Sequence, residues 1–372
     1  MNIGSLLKSG LAVALLCALA GTASAVTCTY ENGILPPVGV MPLQVSAISV
    51  GRDVAVGTVV YRQRFRIANG QAAQMRCANA FGNLLGEEMT LQTPSPLLTW
   101  TTGSYAGKVY ATGIPGLGVA IDTANRGPAP LRYNQAILSC NSIGCVLPFD
   151  LLDFELILIK VGEVTPGVLR GESLPVVSMF SNFGDARTLG FRMGIGGALQ
   201  IASRTCSTPD VNVPMGTHLP RAFTGTNSAT AWTNFSISLN NCPGFNGTVT
   251  GSATWVSQGG TSPSGTGSSG TSTSNSVQYR IDSVRAAINP ATGVLGINPA
   301  AAGRPPAATG IGVQVANQAG PLRLATMQNS GLILSSSEGS YTIPLRARYI
   351  QTGNRVTTGP AAATATFTIS YQ

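Results

Sequence analysis

Residues Ala365 to Gln372 read Ala-Thr-Phe-Thr-Ile-Ser-Tyr-Gln and alternate apolar with polar side chains. In an extended strand, Ala365, Phe367, Ile369 and Tyr371 share one face, and Thr366, Thr368 and Ser370 share the other. A strand that buries one face and leaves an edge open presents unpaired backbone groups to any chain that can pair with them. No residue follows Gln372 here, so the expectation is a sheet completed by another polypeptide.

The first 25 residues suggest where such a partner is met. Lys8 lies in a short polar segment, Leu11 to Ala20 is apolar, and Ala23-Ser24-Ala25 is a small-residue cleavage site. This is the pattern of a secretory signal peptide, residues 1–25, cut before Val26. The apolar run is too short for a membrane span. The expected mature chain is exported and soluble, and its 347 residues suffice for two domains.

Short alternating runs between turn residues recur: Val59 to Ile67, Phe235 to Leu239 and Tyr341 to Leu345. With charged residues at only 10% and no long amphipathic stretch, the pattern is all-β, built from β-sandwiches. Six cysteines remain after the signal: Cys28, Cys77, Cys140, Cys145, Cys206 and Cys242. An even number in an oxidising compartment favours disulfides, and six allow 15 pairings. Sequential pairing is the choice made, Cys28–Cys77, Cys140–Cys145 and Cys206–Cys242, since it keeps the last bridge in the second half and makes the middle one a turn clamp. No Cys-x-x-Cys occurs and His218 is the one histidine, so neither a metal site nor a cofactor is expected.

Gly194, Gly196 and Gly197 mark a candidate hinge, dividing the mature chain into domains 26–200 and 201–372. Residues 26–203 carry 12 basic and 11 acidic side chains, whereas residues 204–372 carry 9 and 3. The basic residues of the second half are scattered and match no nucleic-acid motif, so no nucleic-acid partner is expected. They read as a solvated face. Strand-like segments Thr248 to Val256 and Val277 to Val284 flank a Ser/Gly-rich stretch, 257–276, expected to be an unpacked surface loop of the second domain.

The second half resembles a pilin domain of the chaperone–usher fimbrial family. The resemblance spans nearly all of 204–372. It rests on the Cys206/Cys242 pair, Thr292 to Ile297, Gly310 to Val315, Ile343 to Tyr349, the terminal strand with penultimate Tyr371, and Gly359 fourteenth from the end. The Ser/Gly-rich stretch departs from the family pattern. The resemblance implies an immunoglobulin-like sandwich lacking its last strand. A periplasmic chaperone lends that strand, and an adjacent fimbrial subunit replaces it after passage through the outer-membrane usher. On this reading Phe367, Ile369 and Tyr371 line the acceptor groove, and Gly359 makes room at one end.

Cys28 is the third mature residue, which leaves no alternating donor arm before it. A chain of this kind accepts a strand without donating one, and an extra domain stands where the arm would be. That resembles a two-domain tip adhesin, whose first domain binds a receptor, most simply a glycan. The likeness within 26–200 rests on Cys28/Cys77, Asn79 two residues after the cysteine, and Phe154 to Gly162. Mannose specificity is not supported, because Ala80 follows Asn79 and Lys160 and Gly162 stand where amides are expected.

Sugars are held by planar polar groups and aromatic faces. The turn-rich stretch from Trp100 to Arg126 offers Trp100, Tyr105, Tyr110, Asp122 and Asn125, with Asn79 as a further candidate. Trp100 and Tyr110 read equally as core aromatics, and Asn79 as a turn cap. Glu87-Glu88 and Asp150/Asp153/Glu155 offer carboxylates, but His218 has no clear catalytic partner and no enzyme is expected. The expectation is a fimbrial tip adhesin at the cell surface. The alternative is a structural initiator or adaptor at the fibre tip that binds no glycan.

Overall fold

The computed structural model describes residues 25–31, 33–80, 85–92, 95–123, 126–135, 140–149, 153–258 and 264–372. Residues 1–24 of the expected signal peptide 1–25, with Asn125 and Asp150, lie outside them. In chain order the first half forms β1 (Thr27–Tyr30), β2 (Val38–Pro42), β3 (Ala47–Ser49), β4 (Val59–Ile67), β5 (Gln74–Ala78) and β6 (Leu85–Gln92). Next come β7 (Tyr110–Ala111), β8 (Leu117–Thr123), β9 (Gly127–Pro128), β10 (Leu131–Gln135), β11 (Cys140–Asn141) and β12 (Gly144–Pro148). It closes with β13 (Phe154–Lys160), β14 (Gly167–Arg170), β15 (Val176–Phe183), β16 (Ala186–Gly196) and β17 (Ala198–Ala202).

The second half forms β18 (Thr233–Cys242), β19 (Thr248–Ser257), β20 (Gly265–Ser268), β21 (Thr271–Thr273), β22 (Val277–Ser283) and β23 (Val294–Leu295). The remaining strands are β24 (Ile311–Asn317), β25 (Gly320–Pro321), β26 (Gln328–Asn329), β27 (Gly339–Gln351) and β28 (Ala365–Tyr371). The protein is all-β.

The first half stacks a sheet of order β10-β6-β15-β16-β2 against one containing β4-β13-β8-β7. Alternation explains β4: Tyr61, Phe65 and Ile67 are buried, while Arg62, Arg64 and Arg66 face outward. Phe65, Phe154 and Phe191, on β4, β13 and β16, meet with ring centroids 5.2 to 5.6 Å apart and join the two sheets. Strand β13 is buried on both faces. Phe154, Leu156 and Leu158 enter the main core, and Ile157 and Ile159 lie beneath Leu98, Trp100 and Tyr105. Its last residue, Lys160, is 2% exposed and donates its Nζ protons to the Gly51 and Arg52 carbonyls, at 2.9 and 2.6 Å. Burial lowers the Lys160 pKa, opposed by the nearby Asp53 and Glu163 carboxylates.

In the second half, a sheet of order β18-β27-β24-β23 faces one of order β26-β22-β28. Its core gathers Ile237, Leu239, Tyr279, Val315, Leu345 and Tyr349 around the Cys206–Cys242 disulfide. The other bridges are Cys28–Cys77, between paired β1 and β5, and Cys140–Cys145, between β11 and β12.

Two expectations change. The glycine-rich stretch around Gly194 is not an unpaired hinge: Arg192 to Gly196 pair in parallel with β2, and the chain turns at Gly197 directly into β17. Backbone hydrogen bonding outweighs the local flexibility of glycine there. Nor is 257–276 an unpaired loop. Gly265 to Ser268 and Thr271 to Thr273 both pair with β19, which runs parallel to β4 of the first half. The side chains of β20 and β21 are mainly exposed, so hydrophobic periodicity gives no sign of these strands.

Candidate functional site

Strand β28 pairs with β22 from Ala365↔Ser283 to Tyr371↔Val277, and its other edge has no strand partner among the described residues. Beside it a cavity of about 640 Å³ opens between the two sheets. Its lining includes Val211, Phe235, Ile281, Val313, Val315 and Phe367. An apolar trough next to free backbone donors and acceptors can take an extended chain. The edge supplies hydrogen bonds, and every second side chain enters the trough.

A second cavity of about 290 Å³ adjoins the first at Tyr349 and Ala361, and Gly359 and His218 border it. Gly359 has φ +151°, and a Cβ there would lie 2.2 Å from the Pro306 carbonyl oxygen, so only glycine lets the segments approach. The His218 ring stands edge-on to Tyr349 at 5.7 Å, with Nε2 2.9 Å from the Met215 carbonyl.

The terminal-strand residues separate in space. Phe367 lines the larger cavity and Ile369 packs half-buried against the same core. Tyr371, expected to line the groove, instead lies at the seam between the domains. It is 6% exposed, stacks on Phe245 at 6.4 Å and donates its amide to Asp53 Oδ2 at 2.9 Å. The backbone at this end of β28 lies against the segment around Gly51 and Asp53.

In the first half, the structure joins two of the proposed sugar-binding residues. Tyr105 donates its hydroxyl proton to Asp122 Oδ2 at 3.2 Å. On neighbouring strands, Arg62 pairs with Glu155 at 2.7 Å, Arg64 pairs with Asp153, and Ser252 donates to Glu155. Burial raises the pKa of Tyr105, aided by the Asp122 charge, and burial also raises that of Asp122. The Arg62 guanidinium pKa is raised as well: burial opposes this, and the Glu155 carboxylate overcomes it.

Trp100 packs half-buried in the small cluster over Ile157 and Ile159, which gives it a packing role. Tyr110 pairs with Val119 and lies against the main core. Asn79 is exposed with φ 55°, and its Nδ2 donates to the Ala25 carbonyl at 3.3 Å. It lies in the turn directly after β5, a strand of the β1-β5-β12-β11 sheet and not of the sheet that carries Asp122.

Glu87 and Glu88 do not form a carboxylate pair, because adjacent strand residues face opposite ways. Glu87 is buried, accepts from Tyr133, and lies 3.1 Å from Arg126 Nη1, whose guanidinium covers the Tyr133 ring at 4.2 Å. Glu88 pairs with Arg132 and Arg187, and its hydrogen bond from Arg132 leads in lowering its pKa. Sequence reasoning missed the Glu87–Tyr133–Arg126 group, since cross-strand register alone brings Tyr133 opposite Glu87.

The fold thus comprises two β-sandwich units, the second with an open apolar groove beside an edge strand. Residues 198–372 match the model of the family described as fimbrial protein. The fimbria adhesin protein of Klebsiella pneumoniae is 24% identical over 362 residues, covering 96% of this chain and 97% of the relative. Among solved structures, the CupB6 tip adhesin of Pseudomonas aeruginosa superposes with TM-score 0.30 at 15% identity, covering 93% of each chain. The receptor binding domain of the adhesin MrkD1P of Klebsiella pneumoniae gives TM-score 0.33 at 20% identity, covering 49% of this chain and 99% of that one.

Proposed function

We propose that this protein is a fimbrial adhesin of the chaperone–usher type, exported through the periplasm and carried at the fibre tip. Its second domain accepts a strand, first from a periplasmic chaperone and then, at the outer-membrane usher, from the adjacent subunit. The observation that carries this reading is the groove between the second domain's sheets, open beside β28 and floored by Phe235, Val313 and Phe367. The family match over the same residues supports it. An inserted strand would extend the β26-β22-β28 sheet and cover apolar surface now open to water.

The test is capture of the full-length chain by a co-expressed fimbrial chaperone. Ala363→Trp places an indole in the groove, which Ala363 lines. Recovery of the complex should fall at least tenfold. Undiminished recovery would sink the reading.

For the first domain we propose receptor recognition, with a glycan as the class, on the face that carries Tyr105, Asp122 and Arg62. This arrangement offers a planar carboxylate, a phenol and a guanidinium within one hydrogen-bonded group. A glycan array probed with the chaperone-bound full-length chain tests it. Related sugars retained by the wild type and lost with Tyr105→Ala support it. The second reading, a tip initiator without a sugar receptor, draws on the fact that Tyr105, Arg62 and Glu155 already satisfy one another or near neighbours. A silent array from well-folded complex favours it.

A further inference from the structure

The second sandwich's own strands are interrupted between β18, which ends at the disulfide-bonded Cys242, and β22, which begins at Val277. Between them the described residues leave that sandwich, and β19 pairs antiparallel with β20 and β21. Strand β19 lies parallel to β4, with Val249 opposite Tyr61 and Ala253 to Ser257 opposite Gln63 to Ile67. Val249 and Ala253, 3% and 0% exposed, belong to the core of the first sandwich, and Trp255 packs against it. The Ala68 amide donates to the Ser257 carbonyl at 2.8 Å and extends the pairing past the end of β4.

The base of the hairpin is anchored as well. Ser49 donates its amide to the Gly247 carbonyl at 2.8 Å and its hydroxyl to the Gly244 carbonyl at 2.9 Å, and Asn275 Nδ2 donates to the Ser49 carbonyl at 3.1 Å. The Ser/Gly composition fits the task. Gly265 lies against the Trp255 ring, where an added Cβ would come within 2.6 Å of it. Polar strands with small side chains can shield an indole and still form a soluble sheet margin.

We propose that strands β19, β20 and β21 form an intramolecular clamp. The sheet of the first domain takes its strands beyond β4 from the second half of the chain, and β4 is protected only while this hairpin is docked. Without it, nine residues of β4 with Tyr61, Phe65 and Ile67 behind them would form a long open edge. The clamp also makes Ser252 a positioning residue, since its bond to Glu155 reaches the Arg62 group. A load applied through the fibre-facing domain therefore reaches β4 and β13 directly and not only through the connecting segment after β17. This holds whether or not the first domain binds a glycan.

Hydrogen exchange on the full-length chain tests the clamp, comparing the wild type with Val249→Asp/Ala253→Asp and with Trp255→Ala. The expected result is exchange at least tenfold faster across β4 with β22 and β28 unchanged. Unchanged exchange at β4, or loss of protection confined to β22 and β28, would overturn the proposal. If the double variant does not fold, Trp255→Ala is read by the same criteria, because it trims a partly buried ring and introduces no charge.

Discussion

The backbone amide of Tyr371 donates to the carboxylate of Asp53 at 2.9 Å, joining residues 318 positions apart in the chain. The Asp53 amide returns a bond to the Tyr371 carbonyl at 3.3 Å. The strand that borders the groove is thus tied at its end to the first domain, beside the carbonyls of Gly51 and Arg52 that hold Lys160.

Asp53→Ala removes the acceptor of the Tyr371 amide. A hydrogen bond of this kind contributes about 1 kcal/mol net. The expected outcome is a lower urea midpoint at unchanged m-value. An unchanged midpoint would mean that water satisfies the Tyr371 amide equally well.

Phe154→Ala opens the ring triad that joins the two sheets of the first domain. Phe154 is fully buried, so transfer and cavity terms together cost about 3–5 kcal/mol. Equilibrium unfolding followed by far-UV circular dichroism reads the loss. A cost below about 1 kcal/mol would show that the triad does not hold the sheets together.

Tyr61 is fully buried, and burial pushes its pKa up to about 12, against an opposing hydrogen bond from the Gln44 amide. The unfolded chain ionises this phenol from pH 10, while the folded chain keeps it protonated. Tyr61 therefore stabilises the fold fully below pH 10, and that contribution falls as pH rises from 10 to 12, by about 1.4 kcal/mol per pH unit. Tyr61→Phe lacks this slope. The urea midpoints of the two proteins should converge between pH 9 and pH 11; parallel curves would contradict the assigned shift.

Gly359→Ala places a methyl group against the backbone at Pro306 and Ala308 and keeps a φ that alanine rarely adopts. A loss of about 1–3 kcal/mol is expected. Thermal melting of the full-length chain should show it. An unshifted melting temperature would mean that the 306–308 segment moves aside freely.

Much of the strand content is legible in the chain because alternation is a local property. Val59 to Ile67, Phe235 to Leu239, Tyr341 to Leu345 and the terminal Ala365 to Tyr371 all lie in strands. Thr248 to Val256 also reads as a strand, and it is one, but one of its edges pairs with β4 of the first half while the other takes β20 and β21. Periodicity states which face of a strand is apolar and is silent about what covers that face. The same limit applies at the site: Tyr105, in a turn before β7, reaches Asp122 on β8, whereas Asn79 lies in the turn after β5 of a different sheet.

The sequence by itself determined the all-β class, the strand faces and the pilin-like pattern of the second half, since each follows from residue order over a few positions. Tertiary structure alone decided that the Ser/Gly-rich stretch flanks a strand docked on the first domain, that Tyr371 sits at the seam, and that Glu87 meets Tyr133 and Arg126. These outcomes depend on register and twist between segments tens to hundreds of residues apart. Many pairings there satisfy the same local pattern, and packing of the whole core selects one.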